Sequence, residues 1–281
     1  MLKKLTALTA LAALAAAWAS LGAMQAPQAS GAVSLWRLDC GSATIKDYNA
    51  FFSDTSAYEP GPKEIADSCY LIRHGDTYRL WDAGLSDALI GKPNDNPVMI
   101  LRVERSLADQ LARLGVKPDQ VSLLGISHYH GDHIGQASNF AKARLLIGKG
   151  DLDALKAPGG PDAAPLAPWL TGKAPVDPVI GDRDIFGDGK VVMLSTPGHT
   201  PGHHSLLVRL PSGPVILSGD RWHFTEQVAN DGVPPFNTDR AQTLASMDRI
   251  RKLARNIGAR VVIQHERDDI GKLPTFPEPA K

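Results

Sequence analysis

The run Ser127-His128-Tyr129-His130-Gly131-Asp132-His133 places three imidazoles and a carboxylate within six positions. Imidazole nitrogen and carboxylate oxygen are good ligands for zinc and similar borderline cations, and a loop leaving a strand can turn four such groups toward one point. Gly131 allows the tight turn that this requires. A lone histidine is ordinarily satisfied by a hydrogen bond and binds nothing. Even with nine histidines in the chain, this spacing arises by chance on the order of one time in a thousand, so the run reads as a metal site.

One ion normally takes three or four protein ligands, so further ligands are expected at other strand ends. His199 follows an apolar run at 191–194 through Thr196-Pro197-Gly198, Asp220 follows 215–217 through Ser218-Gly219, and His265 follows 261–263. The histidine-rich run itself follows a mostly apolar stretch at 121–126. Each candidate stands just past a strand, as a site assembled at one edge of a sheet sandwich requires.

These strands belong to two similar halves. In the first, 33–38 reads as a short strand and 68–73 with 78–81 as a hairpin turning at His74-Gly75-Asp76. Between them, 49–62 is a loop carrying Phe51, Phe52 and Tyr58. From 99 to 114, Val103, Leu107, Leu111 and Leu114 recur at three- and four-residue intervals before Gly115, which predicts an amphipathic helix. Leu145 and Ile147 mark another strand. The proline-crowded stretch 157–178 excludes a regular helix or central strand, and its Leu166, Trp169 and Leu170 suggest a lid or pocket wall. In the second half, 191–194, 206–210 and 215–217 read as strands, followed by a helix at 239–257 and a strand at 261–263. Two β-rich halves, each with a helix and with no linker between them, predict two packed sheets covered by helices.

Lys3 and Lys4 precede an Ala/Leu stretch at 5–19, with small residues after it, the pattern of a secretory signal peptide. Cleavage is expected after Ala19 or Ala32, so residues 1–32 form a signal peptide and lead, and 33–281 a single domain that is periplasmic or secreted. No membrane attachment is expected once the segment is removed. An oxidising compartment permits Cys40 and Cys69 to pair; two buried apolar thiols are the equal alternative, and neither cysteine is placed as a ligand. Thirty basic residues balance thirty acidic ones, so net charge favours neither nucleic acid nor an anionic membrane as partner and points to a small-molecule substrate. Nothing in the sequence fixes an oligomeric state.

In order, Asp82 in Leu80-Trp81-Asp82-Ala83-Gly84, the 128–133 run, His199 in Thr196-Pro197-Gly198-His199-Thr200, Asp220 and His265 resemble the metallo-β-lactamase superfamily over nearly the whole chain after the export segment. The resemblance implies an α/β fold, an αββα sandwich of two mixed β-sheets packed face to face with helices outside. It implies that His128, His130 and His199 bind a first metal, Asp132, His133 and His265 a second, and that Asp220 bridges them. Two zinc ions are expected, although cobalt, manganese and iron share such ligands. Between the ions a water of lowered pKa would supply hydroxide as nucleophile. Asp82 is implied to hydrogen-bond behind the ligands and hold their orientation. His74, His203 and His204 read as surface or structural histidines.

That fold carries β-lactamases, thioesterases, lactonases and phosphodiesterases, so details of the site must decide the substrate. Typical β-lactamases lack a bridging carboxylate at the position of Asp220. Leu38-Asp39-Cys40-Gly41-Ser42, Phe51-Phe52-Ser53-Asp54 and His265-Glu266 resemble the N-acyl homoserine lactonase family. Many of its members carry a tyrosine three positions after the bridging aspartate, where this chain has His223. The resemblance implies opening of a lactone ring, with His223 hydrogen-bonding the carbonyl oxygen and Asp132 carrying a proton to the leaving alkoxide. Phe51, Phe52, Leu166, Trp169 and Leu170 are the residues expected to line an acyl groove. The alternative is another hydrolase of this fold, acting on a thioester, phosphodiester, other ester or β-lactam. A non-catalytic metal protein is disfavoured, because a structural zinc is closed by four ligands to one ion.

Overall fold

Alternation of buried faces along the strands sets the architecture of the computed structural model, which describes residues 31–281; residues 1–30 of the expected export segment lie outside them. The first sheet contains β1 (Val33–Ile45), β2 (Lys63–His74), β3 (Thr77–Trp81), β4 (Asn94–Asp95), β5 (Met99–Arg102), β6 (Val121–Gly125), β7 (Arg144–Gly148) and β8 (Val176–Val179), in the order β4-β5-β1-β2-β3-β6-β7-β8. The second contains β9 (Arg183–Asp184), β10 (Val191–Ser195), β11 (His204–Leu210), β12 (Gly213–Leu217) and β13 (Arg260–Val262), in the order β13-β12-β11-β10-β9. Both sheets are mixed: β1, β2 and β3 pair antiparallel while β3, β6, β7 and β8 run parallel, and β13 adds parallel to β12.

Three apolar layers follow from the two-residue period of these strands. Val33, Leu35, Tyr70 and Ile72 of the first sheet meet Val191, Met193, Leu206 and Val208 of the second and form the core between the sheets. Their neighbours Leu38, Cys69 and Leu71 face the opposite side, against Leu107 and Leu111 of α2 (Leu107–Arg113), with α1 (Tyr48–Phe52) preceding it in the chain. On the far side of the second sheet, Leu194, Leu207 and Ile216 pack on Met247, Ile250 and Ala254 of the long C-terminal helix at Arg240–Ile257. Helix, sheet, sheet, helix is therefore the order of the layers, the αββα sandwich. Among the described residues no helix is long and apolar enough to cross a membrane.

Cys40 and Cys69 are joined in a disulfide that ties β1 to β2 inside the outer core. The first strand is longer than expected: it continues past a bulge between Asp39 and Gly41 to Ile45. That extension supplies an edge for β5, so residues 99–102, expected as the start of a helix, are a strand. The helix begins only at Leu107, where the Ser106 side chain caps it by accepting from the Asp109 N–H.

The 157–178 stretch is neither lid nor pocket wall. Leu166 and Trp169 are 0% and 2% exposed in the outer core, Leu170 packs against that core, and the Trp169 indole N–H donates to the Ala143 carbonyl at 2.9 Å. Proline density here accompanies short turns of helix that fill space against the first sheet. α3 (Gly131–Ile134), α4 (Lys149–Lys156), α5 (Ala167–Leu170), α6 (Thr225–Asn230) and α7 (Arg240–Ile257) complete the helices.

Candidate metal centre

Strand ends from both sheets converge at one edge. Asp82 follows β3, the 128–133 run follows β6 and enters α3, His199 lies between β10 and β11, Asp220 follows β12 and His265 follows β13. The donor atoms fall into two groups, His128, His130, His199 and Asp220 in one, Asp132, His133 and His265 in the other, each within 4.8 Å of one another. Sequence separation between the outermost members exceeds a hundred residues, so only the folded sandwich brings them together.

In the first group the Nε2 of His199 lies 3.1 Å from the Nε2 of His128 and 2.9 Å from the Nδ1 of His130, and those two are 3.0 Å apart. The Nδ1 of His199 pairs with the Asn237 side-chain oxygen at 2.8 Å, which places its proton there and leaves the Nε2 lone pair facing the cluster. Asp220 reaches both groups. Its Oδ2 lies 3.4 Å from His199 Nε2 and 3.7 Å from His128 Nε2, and its Oδ1 lies 3.2 Å from His133 Nε2 and 3.1 Å from His265 Nε2.

The remaining nitrogens are turned the same way. His133 Nδ1 is held by Asp82 Oδ2 at 3.1 Å, and His265 Nδ1 donates to the Ala66 carbonyl at 2.7 Å. Both Nε2 atoms then present lone pairs to a carboxylate, and His133 Nε2 and Asp220 Oδ1 have no hydrogen-bond partner despite full burial. Lone pairs aimed at one another across about 3 Å repel unless a cation or a proton lies between them. The donor set, its orientation and its orphaned atoms therefore fit two metal ions sharing Asp220.

Without a cation the same geometry gathers protons. Burial opposes charge on His265, but Asp220 and Asp132 outweigh it and push the imidazole up to about 9. Burial likewise opposes charge on His133, and Asp220, Asp82 and Asp132 together raise it well above the usual range. Asp220, although buried, is held well below the carboxylate range by His265, His133 and His223. His128 is lowered by burial and by His133, and His130 by burial and by His199 to about 4. Neutral imidazole is the form that binds a metal.

A layer of hydrogen bonds fixes these ligands. Asp82 is buried with φ of 60°, a left-handed conformation that costs a non-glycine residue about 1 kcal/mol. It lets Oδ1 accept the Ser127 N–H at 2.6 Å while Oδ2 holds His133. Gly219, φ 54°, has no room for a side chain, since a Cβ would stand 2.7 Å from His203 Nε2. His74, His203 and His204 are all buried, so the surface alternative does not apply to them. His74 pairs with Asp188, His204 with the Gly202 and Gly181 carbonyls, and His203 with the backbone of Asp220.

Above the ligands opens a cavity of about 720 Å³. Ile45, Ile65, Leu85, Leu89, Met99 and Leu101 line it, while Asp132, Asp220, His130, His223 and His265 border its polar end. Phe51 and Phe52 are in its wall, as the sequence suggested, and Phe52 also stacks on His223 with ring centroids 4.5 Å apart. His223 Nε2 lies 3.2 Å from Asp220 Oδ2, and Gln227 holds the residue through its backbone N–H at 2.6 Å. Phe236 is a cavity residue that sequence reading missed: it lies 4.9 Å from Phe51 and 5.7 Å from His199 between ring centroids. It follows two prolines in an irregular segment, where periodicity offers no signal.

The sequence profile of the metallo-beta-lactamase superfamily matches residues 64–265, a span that starts in β2 and ends on the last ligand. The chain belongs to this superfamily. Among curated members, the N-acyl homoserine lactonase AttM of Azorhizobium caulinodans is 29% identical over 255 residues, covering 84% of this chain and 94% of that one. An N-acyl homoserine lactonase of Bacillus sp is 27% identical over 233 residues, covering 77% and 89%. Among solved structures, an N-acyl homoserine lactone hydrolase with the product N-hexanoyl-L-homoserine at its catalytic metal center superposes with a TM-score of 0.76 at 21% identity, covering 89% of this chain and 100% of that one. The dizinc quorum-quenching lactonase AidC gives 0.64 at 17% identity, covering 90% and 91%. Within the superfamily, the chain is thus similar to the N-acyl homoserine lactonases.

Proposed function

We propose that this protein is an exported dinuclear zinc hydrolase that opens the ring of N-acyl homoserine lactones. The observation that carries the reading is Asp220, whose two oxygens face two separate imidazole clusters at the polar end of a largely apolar cavity. Relatives that share this chain over most of its length are N-acyl homoserine lactonases, and an acylated lactone has the amphipathic shape that such a cavity suits. The disulfide accords with export.

His128, His130 and His199 would hold one ion, Asp132, His133 and His265 the other, with Asp220 between them. Two bound ions supply a polarised carbonyl and a water acidic enough to attack near neutrality. His223 Nδ1 faces the Gln227 side-chain oxygen at 3.2 Å and its Nε2 faces Asp220 Oδ2 at 3.2 Å. In the tautomer that carries its proton on Nε2, the ring would hydrogen-bond the substrate carbonyl oxygen as negative charge develops. Asp132 lines the cavity and is the more exposed of the two carboxylates at the centre, 36% against 4% for Asp220. That exposure suits it to pass a proton toward the leaving alkoxide. The apolar walls exclude competing water from the ring and accommodate an acyl chain.

The test is turnover by the purified, metal-loaded protein on a series of N-acyl homoserine lactones beside a β-lactam, a thioester and a phosphodiester, followed by acid release. Ring opening of the lactones with the highest kcat/KM supports the reading. Turnover of the thioester or phosphodiester without lactone opening overturns it and leaves the dinuclear hydrolase.

A further inference from the structure

Neither room nor backbone conformation demands glycine at position 131. Among the described glycines, only Gly131 and Gly271 combine a φ outside the left-handed region with open space where a Cβ would stand, nothing lying within 4 Å beyond their chain neighbours and own helix backbone. Gly131 is the first residue of α3, so the turn expected to require it is made by ordinary helical backbone. Glycine is also a poor helix former. Of the two, only Gly131 lines the cavity, between His130 of the first cluster and Asp132 of the second. What the missing side chain provides there is space beside ligands of both clusters.

The wall at this end of the cavity is aromatic. Between ring centroids, Phe52 stands 4.5 Å from His223, Phe236 stands 5.7 Å from His199 and 6.3 Å from His130, and Phe51 stands 4.9 Å from Phe236. Ile45, Ile65, Leu89, Met99 and Leu101 make the remainder of the apolar wall aliphatic. Phe236 is 39% exposed, which leaves apolar surface for a bound group to cover. A linear chain needs only a narrow groove, whereas a ring needs width and gains from edge or offset contacts with neighbouring rings. Width at Gly131 and ring faces at Phe51, Phe52 and Phe236 occur together at the metal end, where the group attached to the lactone would lie.

We propose that the metal end of the cavity receives an acyl group with a ring close to its amide, so that the enzyme opens N-arylacyl homoserine lactones. Gly131 gives the ring room and Phe236 gives it a face to pack on. The inference rests on the lactonase reading and deepens it by naming the acyl class. Gly131 and Phe236 are then specificity residues with no part in the chemical step.

The experiment compares the wild type with Gly131→Ala, Gly131→Phe and Phe236→Ala on N-phenylacetyl and N-hexanoyl homoserine lactone, with metal content measured by elemental analysis. The wild type should open the aryl lactone with a kcat/KM at least equal to that for the linear one. Gly131→Phe fills the space and should lower the ratio of aryl to linear kcat/KM by about tenfold or more. Gly131→Ala adds one methyl group and should lower it by about threefold, and Phe236→Ala by about three- to tenfold. Binding of the ring-opened N-phenylacetyl homoserine, read by calorimetry, should weaken in the same order, and metal content should stay at the wild-type level. A wild type that opens the linear lactone but not the aryl one overturns this inference alone. So does an unchanged ratio in the variants that keep their metal, or loss of metal from Gly131→Ala, which would mean that the ligand loop itself needs glycine. A wild type that opens neither lactone overturns the lactonase reading and this inference with it.

Discussion

His203 Nε2 accepts the backbone N–H of Asp220 at 3.0 Å, so one buried histidine holds the residue that faces both metal clusters. The acceptor role at Nε2 places the proton on Nδ1, where the Thr196 carbonyl stands at 3.1 Å and its hydroxyl at 2.9 Å. Burial and Arg221 keep this imidazole well below its usual range, and hence neutral. Replacing it with leucine orphans the Asp220 N–H and frees the bridging carboxylate. His203→Leu is expected to lose about 1–3 kcal/mol of stability and 10- to 100-fold in metal affinity, roughly the cost of removing an outer partner at a metal site. Competition against a fluorescent chelator measures this, and a folded variant of wild-type affinity would contradict the role.

Metal loading should release protons. In the metal-free protein His265 titrates near 9 and is charged at pH 7.5, and the carboxylates around His133 raise that imidazole in the same direction. Ligation requires neutral imidazole, which predicts net proton release on metal binding at that pH, falling as pH rises past about 9. The sign for stability follows from the same shift. A raised folded pKa stabilises the metal-free protein fully below the unfolded value of 6.5, and that contribution is lost as pH rises through about 9. Calorimetric titration of zinc in two buffers of different ionisation enthalpy counts the protons. Release near zero at pH 7.5 would refute the charge state.

Much of this centre was legible because strand ends announce themselves: an apolar run stops and a ligand-type residue follows, as at His128, Asp220 and His265. The sandwich was legible for a related reason, since Val33 and Leu35 or Leu206 and Val208 alternate with residues facing the other way. Illegible features depend on pairing across the fold. Residues 99–102 carry an apolar pattern that suits helix or strand, and only the edge offered by the extended β1 decides it. Trp169 looks the same in sequence whether it lines a pocket or fills a core. Phe236 carries no motif at all, and becomes meaningful only through what it faces.

Asp132 and His223 separate by kinetics. If Asp132 carries a proton in turnover, Asp132→Asn lowers kcat by about 100-fold, within the range for a general acid or base, with a smaller change in KM. Metal content must be measured alongside, since Asp132 also belongs to the second cluster. Equal turnover at full metal occupancy would remove the role.

A tyrosine at 223 offers a single O–H donor where the histidine offers Nε2–H. His223→Tyr is therefore expected to retain activity within about tenfold, whereas His223→Phe, which keeps the packing against Phe52 but has no donor, falls by about 100-fold or more. Similar kcat for the two variants would show that packing, not hydrogen bonding, is what His223 provides.

Asp151, at the start of α4, binds both loops of the first cluster. Its carboxylate accepts the Gly202 N–H at 2.6 Å, the Thr200 hydroxyl at 3.0 Å and the Tyr129 N–H. Tyr129 lies between His128 and His130 and Thr200 follows His199, so a single side chain sets the spacing of three ligands. Asp151→Asn replaces one oxygen with an NH₂ that cannot accept, whereas a carboxyl oxygen accepts even when it carries the proton, so one of these donors is opposed in the variant at any pH. Zinc should then be lost from the first cluster before the second, giving a biphasic chelator titration in place of concerted loss. Burial pushes Asp151 up to about 7, so its contribution to stability is fully present below the unfolded value of 3.8 and is lost as pH rises through 7. The stability difference between wild type and Asp151→Asn, read from urea unfolding, should therefore shrink between pH 4 and about 7. A difference independent of pH would mean that this carboxyl is already ionised throughout that interval, with its three donors outweighing the cost of burial.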